Sequence, residues 1–387
     1  MISIRRQLLG LGFVAASSLL ALHSAHALSG PTAITIDGGP VGSLSLSGGA
    51  DGYVYSQTNT SGNQQSVSAN IGSALIDLQK TSGVLQFNIE VGSSSYITLG
   101  APNYNNSGHL SGTSINNFST GALFLGYVTI APPNSPVTVS AGQLGSLEGY
   151  EGLVDWVDPS QLTTDLFYVE NSNAVGVQAA LTEGPVTATV QFGDGFDSGV
   201  WNFAQALVSY TIDSNNVLNV FGAANLGRTG ANTFAYGGIK TGTGNAFVNS
   251  NMLGAYYSYT TGNLNVVPEV QYVYAKRDYI AGVNNFTSNL GAAVFGTYTI
   301  PNTPYSVGGW VEYEKSIGNY TWFIGPESEA VGLALSPTWQ YKDLFARVNA
   351  GALYLLDNKS AGTSYGYGNG IAKKLVITGT LEGGLLF

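Results

Sequence analysis

The sequence contains no cysteine, which excludes a disulfide framework, a thiolate metal site and a cysteine nucleophile. Charge is scarce as well. Asp, Glu, Lys and Arg make up 9% of the chain, where a soluble domain carries roughly 25%. Basic residues are the scarcest: 13 Lys+Arg stand against 23 Asp+Glu, for a net charge of −10. Nucleic-acid binding relies on Lys and Arg to neutralise phosphates, so a nucleic-acid partner is not expected. After residue 27 no run approaches 18 consecutive apolar residues, which excludes a spanning helix. Histidine is nearly missing too, and beyond residue 27 only His109 remains, in a polar stretch beside Gly108 and Ser107. A hydrolase needs an activated nucleophile with a base in reach, and this lone histidine is a poor basis for one. No metal-ligand cluster is legible, and no enzyme activity, metal or cofactor is expected.

What is present points elsewhere. Glycine (52) and tyrosine (23) are abundant, and mean hydropathy is only +0.12. Low charge with modest hydropathy suits a chain that has one lipid face and one wet face. A closed barrel satisfies every backbone hydrogen bond inside a bilayer without helices. The first 27 residues read as a signal peptide: Arg5 and Arg6, an apolar stretch over residues 8–22, then Ala25-His26-Ala27 as a small-x-small cleavage site. Residues 28–387 then form a single mature domain. Loss of Arg5 and Arg6 with the leader takes the net charge from −10 to −12.

Strands alternate side-chain direction with period two. Leu85, Phe87, Ile89 and Val91 share one parity against Gln86, Asn88 and Glu90; Val331, Leu333, Leu335 and Trp339 oppose Gly332, Ser336, Thr338 and Gln340. Marking every such run predicts sixteen antiparallel strands, over residues 43–56, 67–80, 83–98, 119–130, 136–144, 173–182, 184–193, 201–213, 216–226, 249–261, 263–275, 288–300, 304–315, 329–341, 343–355 and 372–387. Short links rich in turn residues, such as Glu183-Gly184 and Thr261-Gly262-Asn263, alternate with long polar ones. Outer-membrane barrels show this asymmetry, with short periplasmic turns and longer extracellular loops. No repeat of 20–50 residues marks a solenoid. On the last strand Leu375, Ile377, Leu381, Leu385 and Phe387 share a face, and the terminal Phe387 reads as a signal to the outer-membrane assembly machinery. The fold class expected is an all-β transmembrane barrel in the cell outer membrane, with outer-membrane lipid around it.

About eight strands leave an interior filled by side chains, whereas 16–18 leave an aqueous channel. The longest internal link that could narrow such a channel, residues 145–172, joins the fifth and sixth strands. It carries Glu148, Glu151, Asp155, Asp158, Asp165 and Glu170 and no Lys, Arg or His. Folded inward, six carboxylates focus a negative potential and favour cations; folded outward, they are a solvated loop. Glu90, Glu269 and Glu312 lie at polar strand positions and extend the field, and Arg347 offers an opposing charge. Tyr150 and Trp156 in the same link suit either packing against the wall or a stacking surface for solutes.

From the fifth strand onward the chain also resembles a known family. Ala141-Gly142-Gln143-Leu144-Gly145 runs into Gly149-Tyr150-Glu151, the acidic stretch through Asp158-Pro159, Phe167-Tyr168, Val175-Gly176-Val177 and Gly193-Asp194-Gly195-Phe196-Asp197. This order resembles the OmpL-like porins of the type 2 β-barrel porin family, over about residues 140–200. The resemblance implies an outer-membrane pore for small hydrophilic solutes or ions. Gln178 departs from it, standing where a basic residue is expected. A surface adhesin that acts through its loops is the competing reading. Small residues predicted on the lipid face (Gly126, Gly222, Ala224 and Gly296) would let protomers approach closely, as a homotrimer requires.

Overall fold

The computed structural model describes residues 28, 30–60, 66–94, 96–100, 123–170, 173–195, 200–227, 250–277, 284–318, 322, 327–357, 359–360, 363–364, 366–369 and 373–387. The 1–27 leader and His109 lie outside the described residues. Sixteen strands form the barrel: β1 (Ser43–Gln57), β2 (Val67–Lys80), β3 (Leu85–Ser93), β4 (Leu123–Ile130), β5 (Val137–Leu144), β6 (Ala174–Glu183), β7 (Val186–Gly193), β8 (Phe203–Asp213), β9 (Asn216–Asn225), β10 (Asn251–Thr261), β11 (Leu264–Ala275), β12 (Thr287–Thr299), β13 (Tyr305–Ile317), β14 (Glu329–Tyr341), β15 (Leu344–Asp357) and β16 (Leu375–Leu386). Each pairs antiparallel with its sequence neighbours, and β16 pairs back onto β1 from Gly49↔Leu386 to Gln57↔Thr378, so the sheet closes. Phe387 completes the seam: its carbonyl accepts from Gly48 N at 2.8 Å and its N–H donates to Gly48 O at 2.9 Å.

Period-two alternation explains the two faces. Along β14, Val331, Leu333 and Leu335 are exposed while Ala330, Gly332, Ala334, Ser336 and Thr338 are buried. The outer face is thus apolar, the reverse of a soluble protein, as lipid contact requires. Aromatic rings gather at its two ends. Tyr272, Tyr274 and Phe286 stack with centroids 5.9 and 5.8 Å apart near one rim, and Trp339 and Tyr341 at 6.5 Å near the other. Such girdles sit at membrane–water interfaces. Among the described residues no helix is long and apolar enough to cross a membrane.

Seven tight hairpin turns join alternate strand pairs. Local chemistry makes them: Asp213 Oδ1 accepts from Asn215 N at 2.8 Å and Asn216 Nδ2 at 2.7 Å, closing the β8–β9 turn. Asn134, Asn302 and Lys342 take positive φ at three others. One strand is clearly shorter than the alternation predicts. β3 ends at Ser93 rather than residue 98, after a register shift between Glu90 and Val91; Ile97 and Thr98 leave the wall and pair in parallel with Leu162 and Thr163. β4 is described from Leu123; residues 119–122 of the predicted strand lie outside the described residues. The alternation also misses a short strand, Ile34–Asp37, which continues along β1 beyond the end of β16.

Candidate functional site

The inner face mixes polar and apolar side chains, and its polar ones hold the chain between β5 and β6. From Gly145 onward, the backbone of this segment is fixed by wall side chains drawn from around the barrel. Gln205 on β8 accepts from Leu147 N at 2.7 Å, and Glu269 on β11 accepts from Tyr150 N at 3.2 Å. Gln271 donates to Leu166 O at 2.7 Å, Glu312 on β13 accepts from Asp165 N at 2.8 Å, and Trp310 Nε1 donates to Leu162 O at 2.6 Å. On the opposite flank Asn349 on β15 accepts from Gln161 N at 3.1 Å, and Thr380 on β16 donates to Gln161 Oε1 at 2.7 Å. A segment with bonds to β8, β11, β13, β15 and β16 crosses the lumen. Gly308 on β13 permits the close approach: a Cβ there would lie 2.1 Å from Pro159 O. A single helical turn, α1 (Asp165–Tyr168), is capped by Thr164, whose hydroxyl accepts from Phe167 N at 3.4 Å. That hydroxyl also donates to Glu151.

All six carboxylates of the segment are buried, as are Glu90, Glu269 and Glu312 on the wall. They fall into groups by their mutual influence. Glu148, Glu151, Asp158 and Glu269 surround Glu170. Asp165 meets Glu312 and Glu314. Glu90 stands apart from the crossing segment, in register with Asp77 of β2. Several oxygens are buried with no protein hydrogen-bond donor among the described residues: both of Asp165, Oδ2 of Asp158, Oε1 of Glu269, Glu312 and Glu314. Burial pushes the Glu151 carboxyl up to about 8, against the bonds from Thr164 that pull it down. Burial, reinforced by neighbouring carboxylates, also holds Asp165 and Glu170 well above the usual range.

Arg347 is the only buried Lys or Arg among the described residues. Its guanidinium grips Glu382 through Nε (2.8 Å) and Nη2 (3.0 Å), and donates to the carbonyls of Asp158 (Nη1, 2.9 Å) and Asp155 (Nη2, 2.8 Å). Its charge is therefore matched locally, and its geometry is that of a clamp on the segment. Tyr150 rests on the wall aromatics Phe295 and Tyr256, centroids 4.9 and 5.8 Å away, and Trp156 packs against Phe345 and Leu386.

Sequence reasoning passed over Asp51, Glu314, Asn349 and Glu382. Each sits at inward parity, Asp51 with Tyr53 and Tyr55, Glu382 with Thr378 and Thr380. Parity alone marks them as lumen-facing; it does not show which meet. The sequence also carries a Gly-x-Ser-x-Gly run, Gly362-Thr363-Ser364-Tyr365-Gly366. Its Thr363–Ser364 pair with Lys359–Ser360 in a small hairpin, not at the strand-to-helix turn a hydrolase nucleophile occupies.

Comparison with known proteins agrees with this geometry. No curated protein matches the chain in sequence. Among solved structures, the anion-selective porin from Comamonas acidovorans is similar with a TM-score of 0.56 at 11% identity, covering 89% of this chain and 99% of that one. The outer membrane channel DcaP of Acinetobacter baumannii is similar with 0.55 at 11% identity, covering 89% and 97%. OmpT of Vibrio cholerae, an outer-membrane protein, gives 0.54 at 10% identity, covering 89% and 98%. At these identities the likeness is one of fold. The family is shown by the sequence itself: residues 43–387 match the model described as "Putative beta-barrel porin-2, OmpL-like". A closed sixteen-stranded barrel with an apolar outer face, matched along its whole length, places this chain in that family of outer-membrane porins.

Proposed function

We propose that this porin passes small hydrophilic solutes and favours cations, with the segment between β5 and β6 as its constriction. One observation supports the preference. Glu148, Glu151, Asp155, Asp158, Asp165, Glu170, Glu269 and Glu312 gather about the crossing segment, against one buried basic side chain that is already paired. Carboxylates in a narrow, low-dielectric passage attract cations and repel anions. The Comamonas acidovorans relative of the fold is anion-selective; at 11% identity that preference does not transfer. The test is a planar bilayer holding the purified chain under a KCl gradient. The expected reversal potential has the sign of cation preference. An anion-preferring potential overturns the ion preference, and negligible current overturns the channel in favour of an adhesive barrel.

The same recordings carry a pH dependence. A carboxyl is neutral below its pKa and charged above it. With Glu151 raised to about 8, and Asp165 and Glu170 also raised, cation preference should climb steadily from pH 5 to pH 9. Ordinary carboxylates, which titrate near 4, would give a flat profile over that range.

Assembly as a homotrimer belongs to the same proposal. The lipid face has an apolar hollow of about 640 Å³ where Ala179, Ala204, Ala206, Gly222 and Ala224 stand among larger neighbours. A Vibrio cholerae OmpT relative has a trimer form. Ala206→Trp is expected to shift the detergent-solubilised particle from trimer to monomer by light scattering. A monomeric wild type would refute the trimer.

A further inference from the structure

We propose that Asp51, Asp155 and Glu382 form a binding site for one calcium ion, which ties the crossing segment to the seam of the barrel. This site goes beyond ion preference in the pore and stands on separate geometry. The three carboxylates come from β1, from the crossing segment and from β16. Each can offer one oxygen such that all three lie within 4.8 Å of one another, and all three residues are buried.

Two further observations point to a ligand there. First, Oδ2 of Asp51 is buried without a hydrogen-bond donor among the described residues, although the residue is only 6% exposed; its other oxygen accepts from Ser73 N at 2.5 Å. Second, the backbone is shaped to admit these groups. The β1–β2 register shifts between Ala50 and Gly52, setting Asp51 against both Gly72 and Ser73; such bulges re-aim a side chain. A Cβ on Gly72 would lie 1.9 Å from Asp51 Oδ2 and 2.7 Å from Asp155 Oδ2, so only a glycine leaves the space open.

Charge and hydration choose the ion. Three carboxylates and the Arg347 guanidinium leave two negative charges, which a divalent cation cancels. Magnesium gives up its waters reluctantly and is usually held by one or two carboxylates, whereas calcium accepts a fuller set of protein oxygens. Three buried carboxylates converging on one point suit calcium. Ser73 Oγ, which donates to Asp155 Oδ1 at 2.7 Å, and water can fill further positions.

The experiment titrates the EDTA-stripped full chain in detergent with terbium, a calcium mimic whose emission a nearby indole sensitises; Trp156 adjoins Asp155. One saturable site per chain is expected, displaced by calcium at concentrations at least tenfold below magnesium. Asp51→Asn and Asp155→Asn should each weaken it at least tenfold, and Glu183→Gln, at an exposed hairpin turn, should leave it unchanged. No saturable binding, equal displacement by magnesium, or full binding in Asp51→Asn overturns the site; Asp51 and Asp155 would then share a proton instead. Should Asp51→Asn lose the folded gel mobility, Asp155→Asn, off the barrel wall, decides alone. Because terbium binding needs no current, its outcome is independent of the KCl reversal potential.

Discussion

Arg347→Met is expected to cost about 3–5 kcal/mol of stability and to release the crossing segment from the wall. Both charged side chains of the Arg347–Glu382 pair have no exposed surface. Removing the guanidinium leaves Glu382 buried beside Asp51 and Asp155 without its basic partner. It also strips donors from the carbonyls of Asp155 and Asp158. A lysine cannot replace the fork, since one ammonium does not serve a carboxylate bidentately and two carbonyls at once; Arg347→Lys should fall between. Replacing both partners (Arg347→Met with Glu382→Leu) should restore much of the stability, because no lone buried charge remains. It should not restore the clamp. Thermal unfolding followed by gel mobility reads the first effect, and single-channel noise and conductance read the second. A wild-type midpoint together with quiet, wild-type conductance in Arg347→Met would refute the clamp.

The second large effect concerns selectivity. Asp165→Asn, Glu170→Gln and Glu314→Gln combined keep side-chain volume and remove three ionisable groups beside the crossing segment, so the effect is read at pH 9, where the raised carboxyls of Asp165 and Glu170 carry most charge. The cation-to-anion permeability ratio is expected to fall about tenfold, equivalent to about 1.4 kcal/mol. That is well under the roughly 4 kcal/mol between two unit charges 4 Å apart at an effective dielectric of 20, since salt in the passage screens much of the field. Asp165 makes the cause separable. Neither of its oxygens has a donor among the described residues, so Asp165→Asn alone should not destabilise the barrel and should raise its unfolding midpoint. A carboxylate kept at a cost to stability is the mark of a site selected for its charge. An unchanged permeability ratio in the triple variant would show that these acids do not set the preference.

Much of the wall was legible because two independent signals coincide. Period-two alternation places Val331, Leu333 and Leu335 on one face, and turn residues such as Asp213 and Asn215 close the ends. The misreading at residues 83–98 shows where the signal fails. Ile97 and Leu99 continue an apolar pattern, yet their burial comes from Leu162 and other residues of the interior rather than from lipid. Alternation reports that a side chain is apolar on one side; it does not say whether lipid or protein covers it. The acids of residues 145–172 were legible as a group, by composition alone. Their partners were not. Asp51 and Glu382 lie more than three hundred residues apart in sequence and meet only because β16 pairs with β1 in a particular register. The tilt and stagger of strands decide which inward residues stand level, and no single strand carries that information.

The seam has a consequence for the order of events as the chain folds. Arg347 and Glu382 face each other on the paired strands β15 and β16, so the clamp can form while the wall is still open. Asp51 on β1 and Ser73 on β2 reach Asp155 only once the two ends of the sheet have met. A seam joined out of register would set Asp51 and Glu382 at different heights and leave the three carboxylates apart. The segment therefore arrives on one edge first and inspects the joint when the other edge closes on it.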